Sequence, residues 1–462
     1  MNLSRRDVLT TGAALLASPA LAGPAVVDAV KLRANDYPLR LTTRPTPAWI
    51  YNDAPFPVLR VARERELAVE LKNSLKEHTS IHWHGLRIPN AMDGVPYVTQ
   101  QPVQPGEQFT YRFAPPDTGT YLFHPHCNTS EQLGRGLAGV LVVEGDETAP
   151  FDGDVVCIIK DWRVAPDGSF LPFVTPAGAA RAGTFGALRT VNAHASPAID
   201  VPAEANVRLR LVNADSTRIA ELGVEGAHAM VIAIDGHAVP PFALQSWRLG
   251  PAMRLDLAIR TPAARPVRLV DYFAAEPVTL ATFVPREPAK RKRMPSLHSA
   301  KLPEPDLSRA KFHTLALSTS AAAPDYAAAP DVVLPDGTRI ALADTLCLAQ
   351  RSFWSIDGQS WPVTGHRHLP PPLIQFKRGQ TAVIELFNTT PHPHPMHLHG
   401  HTFKVLSANK YPRPVHWADT VLVMPDERVR IAFVADNPGN WMIHCHIIEH
   451  QDTGMMAWFR VA

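Results

Sequence analysis

The chain has 462 residues, enough for two to four domains at ~150 residues each. Hydrophobic residues make up 45% and charged ones 19%, which excludes wholesale disorder, and a net charge of +2 gives no electrostatic case for a nucleic-acid or anionic-membrane partner. Proline, at 45 residues about twice the ~5% average, breaks helices and interior sheet ladders, so a loop-rich β protein is expected over a helical bundle. No run reaches the ~18 apolar residues that span a bilayer.

Residues 1–22 read as an address. Ser4-Arg5-Arg6-Asp7-Val8-Leu9 sets an arginine pair before an apolar stretch from Val8 to Ala22, and Ala20-Leu21-Ala22 offers small residues for cleavage. The arrangement resembles a twin-arginine signal, used for proteins exported in the folded state, with an ordinary secretory signal as the alternative. Either predicts a periplasmic or otherwise exported protein that meets the export machinery.

Beyond the signal one strand pattern recurs. Leu67-Ala68-Val69-Glu70-Leu71-Lys72-Asn73 matches Val207 to Asn213 and Thr381 to Asn388, each a period-2 strand ending at an asparagine suited to a turn. A second strand recurs as Phe109–Phe113, Met253–Leu257 and Val429–Phe433. In the first and last copies it leads through Asp117-Thr118-Gly119 and Asn437-Pro438-Gly439 into a histidine-bearing strand. The repeat is too long for a solenoid unit, which predicts three β domains, about 32–148, 149–300 and 310–462. Glu287 to Asp306, rich in Pro, Lys and Arg, reads as the link between the last two. The middle copy has no histidine pairs and reads as a spacer.

Four histidine clusters stand at metal-ligand spacing: His82-Trp83-His84, His124-Pro125-His126, His394-Pro395-Met396-His397-Leu398-His399 and His444-Cys445-His446, the last followed by His450 and Met455. Alternate residues on a strand share a face, so each His-x-His pair offers two imidazoles to one side. Imidazole suits copper and zinc, and a thiolate with two imidazoles and a thioether is a blue-copper set. If His444 and His446 face one way, Cys445 faces the other, and one short peptide touches two metal sites.

At these residues the chain resembles the three-domain multicopper oxidases, the family of laccases, bilirubin oxidases and bacterial copper-efflux oxidases. The resemblance covers the whole mature chain and includes the run from His444 to Met456. It implies an all-β fold of three consecutive cupredoxin-like Greek-key β-sandwich domains. It also implies four copper ions, one type 1, one type 2 and two type 3. Carried over by position, type 1 copper takes His394, Cys445 and His450 with Met455 axial, and type 2 takes His82 and His397. One type 3 ion takes His84, His124 and His446, and the other His126, His399 and His444. His392 and His401, outside the pattern, read as neighbours of the ligands or as solvent-facing residues.

The implied enzyme is a copper-dependent oxidoreductase with dioxygen as acceptor. It couples four one-electron oxidations of a donor at the type 1 copper, through the edge of a ligand imidazole near the surface, to reduction of dioxygen to two waters at the trinuclear cluster. Cys445 with His444 and His446 is the implied electron route. Asp93, eleven residues after His82, is the implied acid. Where bacterial relatives often carry a Glu after the last type 1 histidine this chain has Gln451, which leaves Glu449 and Asp452 as substitutes. An axial Met and few methionines, 10 in all, favour phenols and aromatic amines as donors over dedicated oxidation of Cu(I), the alternative. A non-enzymatic copper-binding or cell-division structural relative is the rival from another class, disfavoured by the complete ligand set. Of Cys127, Cys157, Cys347 and Cys445, the last is the copper thiolate, so at most one disulfide can form. A monomer is permitted, because the cluster lies at an interface inside the chain.

Overall fold

The computed structural model describes residues 29–289, 293–299, 301–319, 332–333, 339–340, 353–361 and 369–462. The signal at 1–22 and Cys347 lie outside them. Among the described residues the regular structure is mostly β-strand, with short α-helices at Thr129–Arg135, Pro176–Ala179 and Ile448–Asp452. None of these helices is long and apolar enough to cross a membrane.

The strands form three consecutive two-sheet sandwiches. In the first, Thr46–Tyr51, Val30–Leu39, Leu67–Asn73 and Gln108–Phe113 make one sheet, and Val58–Ala62, Gly139–Glu144, Gly119–His124 and His82–His84 the other. Side chains from both sheets, Leu71 and Tyr111 against Trp83 and Phe123 among them, share one core. The second packs a six-stranded sheet centred on Asn206–Asn213 and Arg254–Arg260 against a five-stranded one. The third repeats that plan around Gln380–Asn388 and Arg428–Ala435, with Gly439–Cys445 and His394–Leu398 in its five-stranded sheet.

The recurring strands hold the same place in each sandwich. Leu67–Asn73, Asn206–Asn213 and Gln380–Asn388 each pair parallel with an earlier strand and antiparallel with the second recurring strand. Their terminal asparagines also do one job. The amide of Asn73 donates to the Glu77 and Val103 carbonyls, that of Asn213 to Arg218 and Leu249, and that of Asn388 to His392 and Val423. Each side-chain oxygen accepts the N–H two residues on, from Leu75, Asp215 and Thr390. This Asx turn pins the loop that leaves the strand. In the third sandwich that loop leads directly into His394. The strand Val278–Pro288 runs two residues into the expected link at Glu287.

Candidate metal centre

Histidines from the first and third sandwiches interleave. His82–His84 is the edge strand of its sheet and pairs with Gly119–His124, His82 opposite His124. In the third sandwich His397 lies opposite His444 and Met396 opposite Cys445. Across the junction the His82 and His399 rings stack at 3.9 Å, and those of His84 and His397 at 3.6 Å. All eight rings of this cluster are at most 3% exposed.

The hydrogen bonds set the tautomers. Nδ1–H of His82 donates to the Asp93 carbonyl at 2.8 Å, His124 to Pro125 at 2.9 Å, His397 to Asp419 at 2.8 Å and His444 to Cys445 at 3.0 Å. That of His399 donates to Asp93 Oδ2 at 2.8 Å. Each of these rings is left with a bare lone pair on Nε2. The Nε2 atoms of His399 and His444 face each other at 3.0 Å, and those of His124 and His446 at 3.3 Å. Nε2 of His82 and of His397 is buried with no hydrogen-bond partner. His84 is reversed: its Nε2 lies 3.0 Å from Asp419 Oδ1 and 2.9 Å from Thr420 Oγ1, and its Nδ1 is the atom left over. His126 lies with its ring 5.2 Å from His399 and 5.3 Å from His444.

A second group forms on the other face of the Gly439–Cys445 strand. Cys445 Sγ lies 3.5 Å from His450 Nδ1 and 3.6 Å from His394 Nδ1, and those two nitrogens are 3.1 Å apart. Nε2–H of His450 donates to the Arg181 carbonyl at 2.5 Å, while His394 Nε2 lies 2.8 Å from the Thr390 hydroxyl. Met455 is fully buried in the same core; its carbonyl accepts the Cys445 N–H at 3.0 Å and its N–H donates to the His450 carbonyl. One tripeptide therefore divides: His444 meets His126 and His399, His446 meets His84 and His124, and Cys445 turns to the other pair.

Burial, and then the neighbouring imidazoles, hold His84, His394, His399, His444 and His446 well below the usual histidine range. Burial pushes His124 and His450 down to about 3 and pushes the Cys445 thiol far up. The rings are thus neutral lone-pair donors at neutral pH, and the thiol stays protonated unless a cation takes the proton's place.

Two carboxylates complete the cluster: Asp93, expected from its place after His82, and Asp419, which has no spacing signature. Asp93 holds His82 through its carbonyl and His399 through its carboxylate. Asp419, fully buried, holds His84 and His397. It is itself gripped by Arg254 of the middle sandwich, whose Nη1 donates to Asp419 Oδ1 at 2.9 Å and whose Nη2 bonds Oδ2. Burial alone would raise the Asp419 carboxyl; the Arg254 charge and hydrogen bonds outweigh it and hold the group well below the carboxylate range. The middle sandwich is therefore more than a spacer, since it supplies Arg254 to one group and the Arg181 carbonyl to the other.

The ligand imidazoles expected near the surface are covered. His394 and His450 are both 0% exposed, because Thr390, Trp354 and Arg181 cover their outer edges. His401 is buried, its Nδ1 3.2 Å from the His399 carbonyl, and His392 is half-buried. Glu449 turns away from the cluster toward Thr175 and Arg163, and Asp452 accepts from Ser130. Cys127 is buried with its Sγ 3.9 Å from Ser80 Oγ. Cys127, Cys157 and Cys445 are all buried thiols.

The family described as "Multicopper oxidase" matches residues 35–148 and again 349–462. A crystal structure of a multi-copper oxidase from Pseudomonas thermotolerans is 38% identical, covers 94% of this chain and 99% of its own, and superposes with a TM-score of 0.83. The chain belongs to the multicopper oxidase family. Multicopper oxidase MmcO of Mycobacterium tuberculosis is 27% identical over 87% of this chain and 81% of its own. Laccase-2 of Botryotinia fuckeliana is also 27% identical, over 88% of this chain and 77% of its own. As a multicopper oxidase the chain is a copper-dependent oxidoreductase that uses dioxygen and a reducing donor, on a cupredoxin-like fold.

The residues fit copper. Lone pairs that face each other at 3.0 and 3.3 Å repel unless a cation lies among them, and buried nitrogens without partners at His82, His397 and His84 need one. Neutral imidazoles with one buried thiol form a borderline-soft donor set suited to copper. Every anchored ring donates its other nitrogen's proton to a fixed oxygen, the arrangement that orients a metal-binding histidine.

Proposed function

We propose that the chain is a laccase-like oxidase with four coppers, oxidising electron-rich phenols and aromatic amines. In this reading His394, Cys445, His450 and Met455 would hold the type 1 ion. His82 and His397 hold the type 2 ion; His84, His124 and His446 hold one type 3 ion, and His126, His399 and His444 the other. Bound copper supplies one-electron redox chemistry at both groups, with dioxygen taking four electrons to give two waters. The observation that carries the reading is the division of His444-Cys445-His446 between the two groups, which gives them a short covalent connection.

The chain's own residues do the rest. Arg181 and Thr390 orient His450 and His394, so that both Nδ1 lone pairs converge on Cys445. Asp93 and Asp419 hold four of the cluster's rings in one tautomer each. Trp354 and the core around Met396 and Ile447 exclude water from Cys445. Asp93, hydrogen-bonded to His399 Nδ1, is the carboxyl through which protons reach the cluster. We further read residues 1–22 as a twin-arginine signal, the mature protein as periplasmic, and the chain as three domains near the bounds expected above.

The test is copper per chain on purified protein, with its visible and electron-paramagnetic-resonance spectra. Four coppers, an intense blue thiolate band, a type 2 signal and a spin-silent pair are expected, followed by turnover of substituted phenols faster than of Cu(I). Faster turnover of Cu(I) would replace the donor assignment with the cuprous one, and a colourless protein after reconstitution would overturn the reading.

A further inference from the structure

The cover over His394 and His450 limits where a donor can hand over its electron. Three groups touch the outer edges of these rings: the Thr390 hydroxyl, the Trp354 ring and the Arg181 carbonyl. Thr390 and Trp354 are buried, whereas Arg181 is exposed. Of the three, only Arg181 links solvent to a ligand, since its carbonyl accepts Nε2–H of His450 at 2.5 Å. Electron transfer weakens steeply across unbonded gaps, so a donor held against Arg181 has a bonded route inward.

The loop that carries Arg181 is pinned on both sides of it. Thr175 caps the short helix Pro176–Ala179, its Oγ1 accepting the Gly178 N–H at 3.0 Å. The N–H groups of Arg181 and Gly183 both return to the Gly178 carbonyl, at 3.0 and 2.9 Å. The Trp354 indole donates to the Ala179 carbonyl at 2.7 Å. The Arg181 backbone is thus fixed over His450 by bonds that do not involve its side chain.

That side chain is the open charge of the region. Arg163 and Arg218, which flank the same loop by bonding the Phe173 and Gly186 carbonyls, are paired with carboxylates: Arg163 at 3.5 Å from Glu449 and Arg218 at 2.8 Å from Asp161. Glu449, the carboxylate beneath the loop, is buried and also accepts the Thr175 N–H at 3.4 Å. Among the described residues the Arg181 guanidinium has no ion-pair or hydrogen-bond partner. An unpaired guanidinium attracts an anion and repels a cation, and its planar fork matches the two oxygens of a carboxylate.

We propose that Arg181 selects anionic phenols as donors: its guanidinium docks the carboxylate of a hydroxyaryl acid, and the electron enters through the Arg181 carbonyl and His450. This rests on the laccase-like reading above and narrows its donors. Each oxidation moves one electron from the phenol to the type 1 copper and the hydroxyl proton to solvent, leaving a phenoxyl radical.

The test compares syringate with its methyl ester, the same phenol without the charge, on the copper-loaded protein. The ratio of their kcat/KM values should fall about fivefold in Arg181→Gln and further in Arg181→Glu, while Arg181→Lys should keep most of it. Raising the ionic strength to about 0.5 M should lower the ratio in wild type and leave it flat in Arg181→Gln. A second readout needs no turnover. 3,4,5-Trimethoxybenzoate has no phenol to oxidise, and its methoxy protons should relax faster beside the oxidised, paramagnetic type 1 ion of wild type than beside that of Arg181→Glu. An unchanged ratio in Arg181→Glu, or equal relaxation in the two proteins, would overturn the proposal and leave a laccase-like enzyme. Turnover of neither phenol by wild type would overturn the laccase-like reading and the proposal with it.

Discussion

Replacing Arg254 with methionine tests whether the middle sandwich holds the cluster in place. Arg254 is fully buried and spends every donor: Nε on the Thr120 carbonyl at 3.1 Å, Nη1 on the Ala252 carbonyl and Asp419 Oδ1, Nη2 on the Asp235 carbonyl and Asp419 Oδ2. It also lies 3.5 Å from Asp235 Oδ1, so it stands between two buried carboxylates. Arg254→Met keeps most of the volume and removes the only charge that offsets them among these contacts. Taking one partner from a buried ion pair costs about 3–5 kcal/mol, and stranded carbonyls push the figure toward the upper end. In a chain of this size, with an unfolding entropy of ~2.1 cal/mol/K per residue, that corresponds to a fall in Tm of roughly 3–6 °C. Scanning calorimetry on copper-free protein separates this from metal binding. In the copper-loaded protein the type 2 signal should broaden as Asp419 releases His84 and His397. Arg254→Lys, a point charge without the planar fork, should fall between. Adding Asp419→Asn to Arg254→Met should recover part of the loss, because it neutralises the charge left behind. A Tm for Arg254→Met within about 1 °C of wild type would refute the argument that this ion pair anchors the cluster.

Three further outcomes are expected. Asp93→Asn should slow turnover at least about tenfold while copper content stays at the wild-type value; unchanged turnover would remove Asp93 from the proton path. Gly85 has φ +87°, and a Cβ there would run into the Asp419 carboxylate and approach Arg254. Gly85→Ala should therefore destabilise the protein by about 2 kcal/mol or more and deplete copper, measured by denaturant unfolding and metal analysis. Burial pushes His237 and His416 down to about 4. The unfolded chain, with histidine near 6.5, binds more protons than the folded one between about pH 6.5 and 4, so copper-free stability should fall as pH drops through that window. Each group contributes at most about 3 kcal/mol, and His237→Gln with His416→Gln should flatten the slope in urea melts at pH 7 and 4.5.

What the sequence makes legible follows from periodicity. Alternation on strands places His82 with His84 and sets Cys445 against its neighbours, because a period of two leaves no other arrangement. The three terminal asparagines likewise mark the same turn in each sandwich. Asp419, Thr420 and Arg254 leave no such trace. Each stands alone in the chain, and what gives it a role is contact across the fold: Arg254 meets Asp419 across 165 positions. The Arg181 carbonyl that orients His450 is a backbone atom that any residue could supply. The covering of His394 and His450 is illegible for the same reason, since the cover comes from other parts of the chain.

The bond from His399 to Asp93 joins residues 306 positions apart, and that from His84 to Thr420 joins residues 336 apart. Synthesis must therefore pass beyond His446 before the whole cluster can form. The histidine pairs of the first sandwich emerge early, and the rings they meet follow about 300 positions later. Full copper loading consequently reports that the third sandwich has been made: a chain truncated ahead of His394 has no partner rings to offer copper.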